Sequence, residues 1–223
     1  MKGQTSSKIE LRKMLLAMVI PASFMFLAWM VFILEKSLHI SFSEFGLRPR
    51  DFEQWYGILT MPFLHGSLEH ILANTGSFLI LGAMLFYFHN DRAILLFILS
   101  YFFSGILTWL IGRESIHIGA SAMIYAFAGY LFTAGLIGRN IRRMAVTLII
   151  VFLYGSMVWG MLPINERISW EGHLSGFITG LILALIFTPP APPTFPEEDD
   201  ELDNEEDRYW EIDENKDKDK YLN

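Results

Sequence analysis

Six apolar runs, each close to the length of a membrane-spanning helix, constrain this chain more than any other feature. They fall at about 14–34, 68–88, 93–111, 119–137, 144–162 and 170–187, near the ~20 residues that a helix needs to cross a hydrocarbon core. With 52% hydrophobic and only 18% charged residues, the runs leave little room for a soluble fold. They predict an all-α polytopic membrane protein: a 1–13 cytoplasmic N-terminus, a 14–188 six-helix membrane domain and a 189–223 acidic tail. The first run is longer than the ~7–15-residue core of a secretory signal and lacks a small-residue cleavage site. It is expected to be an uncleaved anchor.

The formal charge of −7 belongs to the tail. Pro189 to Asn223 holds 14 acids and 4 bases, while the rest holds 13 bases and 10 acids. Opening with "TPPAPPTFP" and lacking a periodic apolar face, the tail reads as a disordered, solubilising extension. Lys and Arg divide 12 to 5 between alternate sides of the spans. Positive residues favour the cytoplasm, so both termini are expected inside a cell (inner) membrane. The absence of Cys excludes disulfides and thiolate metal sites.

In this topology the second, fourth and sixth helices enter from outside, and each opens with polar residues. His70 and Asn74 begin the second, Ser121 the fourth and His173 the sixth. Polar residues inside a membrane are costly and face the bundle interior or a water-filled cavity. Ser121 alone fits a packing residue, since "GASA" suits close helix contact. His173 lies beside Gly172, Gly176 and Gly180, a small-xxx-small seam that lets the sixth helix approach a neighbour. If that neighbour is the fourth helix, His173 can act as general base toward Ser121. No carboxylate stands as an obvious third member, since Glu171 lies on a different helical face. Tyr125, at i+4 from Ser121, can stack on His173 or fill space. His70 and Asn74, spaced i, i+4, can donate to an oxyanion together with the Ser121 N–H, although Asn74 also suits an interhelical hydrogen bond.

"HGSLEHILANTGSFLILG" (His65 to Gly82), "GASAMIYAFAGY" (Gly119 to Tyr130) and "GHLSGFITG" (Gly172 to Gly180) resemble three signatures of the rhomboid intramembrane serine proteases. The resemblance covers most of the span from about Trp55 to Leu185. It implies a six-transmembrane-helix rhomboid-like bundle in which Ser121 is the nucleophile, His173 its base, and His70 and Asn74 the oxyanion donors. Tyr125 packs against the base, Gly119, Gly172, Gly176 and Gly180 support the site, and His65 is structural. The expected activity is hydrolysis of a peptide bond in or near transmembrane segments of membrane-protein substrates by a Ser-His dyad, with no cofactor or metal. The expected partners are those substrates and the lipid bilayer, with no nucleic acid, and the oligomeric state is open.

Three places depart from the family. Ala122 stands where Gly usually follows the serine, and Trp55-Tyr56 where Trp-Arg is common. Gly172 replaces an Ala frequent before the base, so a methyl group exchanged between facing positions 122 and 172 would preserve the helix separation. The rival functions are a catalytically inactive rhomboid-like module that binds transmembrane segments, a metal site using His70, His173 and Glu171, and a transporter. "HGSLEH" lacks the His-Glu-x-x-His spacing of zinc hydrolases, and no charged pair marks a transport path. The connection from Glu35 to Ser67, with Phe42, Phe45, Phe52, Trp55 and Tyr56 among charges, is long enough to carry structure of its own and suits the membrane interface.

Overall fold

A computed structural model describes residues 2–138, 141–165 and 168–189. Beyond Pro189 the expected acidic tail lies outside the described residues. The apolar runs become α1 (Lys2–Leu38), α3 (Leu68–Phe88), α4 (Ala93–Ile111), α5 (Ser121–Gly138), α6 (Ile141–Tyr154) and α8 (Trp170–Phe187). Two short helices, α2 (Gly57–Thr60) and α7 (Met157–Gly160), lie in the connections. The chain is a helical polytopic bundle and an integral multi-pass membrane protein. Among the described residues, five helices are long and apolar enough to cross a membrane.

The fifth apolar run differs from the expectation of one continuous span. It breaks after Tyr154 at Gly155-Ser156 and resumes as α7. Gly and Ser hold a helix poorly, and the 14 residues of α6 reach only ~21 Å at 1.5 Å per residue, short of a ~30 Å hydrocarbon core.

Every residue of α5 from Ala122 to Leu131 is buried, as expected of a helix surrounded by others. Its most extensive partner is α8. Without a hydrophobic driving force between helices in lipid, close association depends on small residues that let backbones meet. A methyl group built on Gly176 or Gly180 would run into the carbonyl oxygen of Ala122 or Ala126, respectively, and one on Gly129 would lie 2.7 Å from the Phe177 carbonyl. These three glycines form the α5–α8 seam. Around α5, the aromatic core joins Phe24 of α1, Phe78 of α3, Phe97 of α4 and Phe127 of α5.

The segment between α1 and α3 is folded onto the end of α4. Leu47 is wholly buried and exchanges backbone hydrogen bonds with His117, at 3.0 and 2.9 Å. Arg50, at φ 62°, donates to the carbonyls of Leu110 and Gly112, which α4 leaves open at its C-terminus. The Trp109 indole donates to the Asp51 carbonyl at 3.2 Å. Thus the loop preceding Ser121 is braced by a second loop. Phe52 and Trp55 remain exposed, as suits an interfacial position.

The seam predicts contrasting effects of the same substitution. Gly180→Ala places a methyl against Ala126 and 2.6 Å from the Tyr130 nitrogen, whereas Gly76→Ala meets nothing within 4 Å. Thermal unfolding in detergent should show Gly180→Ala destabilised by about 1–3 kcal/mol and Gly76→Ala unchanged or stabilised by up to ~1 kcal/mol.

Candidate active site

The polar residues at the starts of α3, α5 and α8 meet around one cavity of about 690 Å³. Its lining includes His70, Asn74, Ser121, Tyr125 and His173.

Each of these residues is set by local structure. Ser67 caps α3 in an extended conformation and accepts the His70 N–H at 3.2 Å, which fixes His70 in the first turn. One turn further, the buried Asn74 amide donates to the His70 carbonyl at 3.1 Å, leaving its second N–H uncommitted by that bond. Gly119 enters against both residues. At φ +105° it adopts a conformation that L side chains rarely take, and a Cβ there would lie 2.6 Å from His70 Nε2 and 3.5 Å from Asn74 Nδ2. A glycine is therefore required for the backbone before the serine to approach these side chains. Ser121 follows as the first residue of α5, where its N–H has no carbonyl one turn back.

His173 is held from two directions. Its ring stacks on Tyr125, with centroids 4.2 Å apart and planes at 11°. Its Nδ1 lies 2.9 Å from the Gly160 carbonyl oxygen. A carbonyl only accepts, so Nδ1 carries the proton and the neutral ring keeps its lone pair on Nε2. The Tyr125 hydroxyl in turn donates to the Met157 carbonyl at 2.8 Å. The turn formed by α7 thus supplies two acceptors, one for the imidazole and one for the ring beneath it. A Cβ on Gly160 would strike the Tyr125 hydroxyl and lie 3.1 Å from His173 Nδ1. Gly160 and Met157 do not stand out as site residues in the sequence, because any residue can offer a carbonyl. No hydrogen bond joins Ser121 Oγ to His173 among the described residues.

Glu171 is 2% exposed and faces Arg113, whose Nε lies 3.5 Å from Oε1. With its carboxylate turned to that cation, Glu171 does not join His70 and His173 in a metal set, and among the described residues no three His, Cys, Asp or Glu are grouped for one.

The expected pairing of Ala122 with Gly172 requires correction. A Cβ on Gly172 would meet Ser169 Oγ at 2.7 Å and Thr108 Cγ2 at 3.8 Å. Ala122 instead presents its carbonyl to Gly176. Gly172 therefore faces α4 and the start of its own helix, because successive i+4 positions drift around a 3.6-residue helix and crossing helices diverge away from their contact.

His65, outside the spanning helices, is 1% exposed. Its Nδ1 lies 3.4 Å from the Phe63 carbonyl, its Nε2 has no hydrogen-bond partner, and its ring meets His70 edge to face at 4.9 Å. Burial, reinforced by His70, lowers its pKa from 6.5 to about 4.

The family follows from comparison with known proteins. A Rhomboid domain model matches residues 52–190, well over half of the chain, so the protein belongs to the rhomboid family. An uncharacterized protein of Mycobacterium leprae is 30% identical over 202 residues, covering 86% of this chain and 80% of its own. An uncharacterized protein of Mycobacterium tuberculosis is 30% identical over 154 residues, 65% of this chain and 64% of its own. RHOMBOID-like protein 1 of Arabidopsis thaliana is 29% identical over 134 residues, 58% of this chain and 34% of its own. The match thus spans slightly less than two thirds of the Mycobacterium tuberculosis relative.

The buried imidazole of His65 predicts a pH dependence of stability. Its folded pKa is depressed, so the unfolded chain binds the extra proton. Stability is complete above ~6.5 and declines as pH falls toward ~4, by on the order of 2–3 kcal/mol. Burial lowers the His117 pKa as well, which acts in the same direction. Thermal midpoints in detergent should fall between pH 7 and pH 4.5, and His65→Asn should flatten that slope. An unchanged slope in the variant would assign the pH dependence elsewhere.

Proposed function

We propose that this chain is a serine endopeptidase that cleaves a peptide bond in or near transmembrane segments of membrane-protein substrates. The observation that carries this reading is the orientation of His173: Nδ1–H is committed to the Gly160 carbonyl and the ring rests on Tyr125, in a cavity shared with Ser121. An imidazole held in this way offers Nε2 as a base, which a buried packing histidine does not require.

In the proposed reaction, Ser121 Oγ attacks the substrate carbonyl while its proton passes to His173 Nε2. The His70 imidazole, the Asn74 amide and the Ser121 N–H donate to the developing oxyanion. As the carbon–nitrogen bond breaks, His173 returns the proton to the leaving amine. Water then attacks the acyl ester, with His173 taking its proton and giving one to Ser121. The Gly160 carbonyl and the Tyr125 ring take the orienting role that a carboxylate fills in a Ser-His-Asp triad. This chemistry draws on the chain's own side chains and backbone groups together with water.

A helical segment shields its own carbonyls through backbone hydrogen bonds, so substrates should carry Gly or other helix-breaking residues near the scissile bond. The proposed location is the cell membrane, both termini cytoplasmic, as the Lys and Arg asymmetry favours.

The second reading, an inactive module that binds transmembrane segments, is favoured by one observation: Ser121 and His173 share no hydrogen bond among the described residues. Catalytic hydrogen bonds are commonly long before substrate binds, which favours the protease. Cleavage of a transmembrane substrate in proteoliposomes separates the readings. Wild type should cut it, Ser121→Ala and His173→Ala should abolish the product, and Asn74→Ala should lower kcat by about tenfold to several hundredfold with KM little changed. Equal cleavage by wild type and properly inserted Ser121→Ala would overturn the protease reading.

A further inference from the structure

We propose that His117 is a positioning residue that ties the start of α8 to the loop carrying Ser121, and so sets the placement of His173 relative to the serine. This rests on the protease reading for its catalytic consequence.

His117 is four residues before Ser121 and 1% exposed. Its backbone is fixed by paired hydrogen bonds with Leu47. Its imidazole Nδ1 lies 2.5 Å from Ser169 Oγ, and Nε2 lies 3.3 Å from the Arg113 carbonyl and 3.3 Å from Ser115 Oγ. Because the Arg113 carbonyl can only accept, Nε2 carries the proton, and the Ser169 hydroxyl donates to Nδ1.

Ser169 is the residue at which α8 begins. A serine there ordinarily accepts an N–H of the first turn, but Ser169 makes no such side-chain cap. Its hydroxyl is given to His117 instead. Its carbonyl accepts the His173 N–H at 3.1 Å, so two hydrogen bonds lead from the His117 ring to the His173 backbone. Gly172 gives the serine room, since a Cβ there would lie 2.7 Å from Ser169 Oγ. Arg113 adds parallel ties from the same loop, donating to the Ile168 carbonyl at 2.9 Å and facing Glu171. The start of α8 is therefore registered against the loop before Ser121 as well as against the α5 backbone.

The test uses the full chain in proteoliposomes. His117→Ala should reduce kcat about 10- to 100-fold, the scale of a misplacement of about 1 Å, with KM within about twofold. His117→Asn, which returns an acceptor to Ser169, should recover most of the rate. Ser169→Ala should match His117→Ala, and the double variant should be no slower than either. An unchanged kcat, or losses that multiply, would overturn the proposal. If His117→Ala does not insert, Ser169→Ala removes the same bond and decides the matter. A separate readout is hydrogen exchange at the His173 amide, which should accelerate in both variants; unchanged exchange would overturn the strap. If wild type cleaves nothing, the protease reading fails while this exchange measurement still decides the strap.

Discussion

Everything at the site depends on how closely α5 and α8 can approach. In lipid, apolar side chains give helices little reason to prefer one another over the solvent, so contact between backbones must supply it. Gly176 and Gly180 present bare backbone to the carbonyls of Ala122 and Ala126, and Gly129 does so for Phe177. This brings the first turn of α5, with Ser121, beside the first turn of α8, with His173. A single methyl group in the seam acts on packing and on the cavity together.

Once the helices are that close, the polar groups of the site still need partners where water is scarce. Around His173 the chain supplies backbone carbonyls, and at the start of α3 a side-chain cap. The Gly160 carbonyl sets the His173 tautomer, the Met157 carbonyl anchors the Tyr125 ring, and the Ser67 hydroxyl fixes the start of α3. A carboxylate in the same place would bring the cost of a buried charge. The buried carboxylate of Glu171 is turned to Arg113. The broken fifth run therefore has a use: the turn at Gly155-Ser156 puts α7 where its carbonyls face the site.

Helix positions were legible because each reflects local composition: α3, α4 and α8 begin and end where their apolar runs do. The meeting of His70, Asn74, Ser121 and His173 at one end was legible because all four open helices that enter from one side. What was not legible depended on backbone or on rotation. The Gly160 carbonyl carries no residue signature. The break in the fifth run was hidden because Met157 to Met161 is as apolar as the stretch before it. Spacing alone places Gly172 in the α5 seam, whereas its space is taken by Ser169. His117 stood beside the serine motif, yet its partner lies 52 residues away, a distance no local pattern spans.

The central claim is that the held imidazole makes Ser121 a nucleophile. A fluorophosphonate probe, which bonds to activated serines, tests it without a known substrate. Mass spectrometry of the purified protein in detergent should place the label on Ser121 in the wild type, and labelling should fall to background in His173→Ala of equal thermal stability. Absence of label on Ser121 in the wild type, or labelling that is unaffected by loss of His173, would contradict the account.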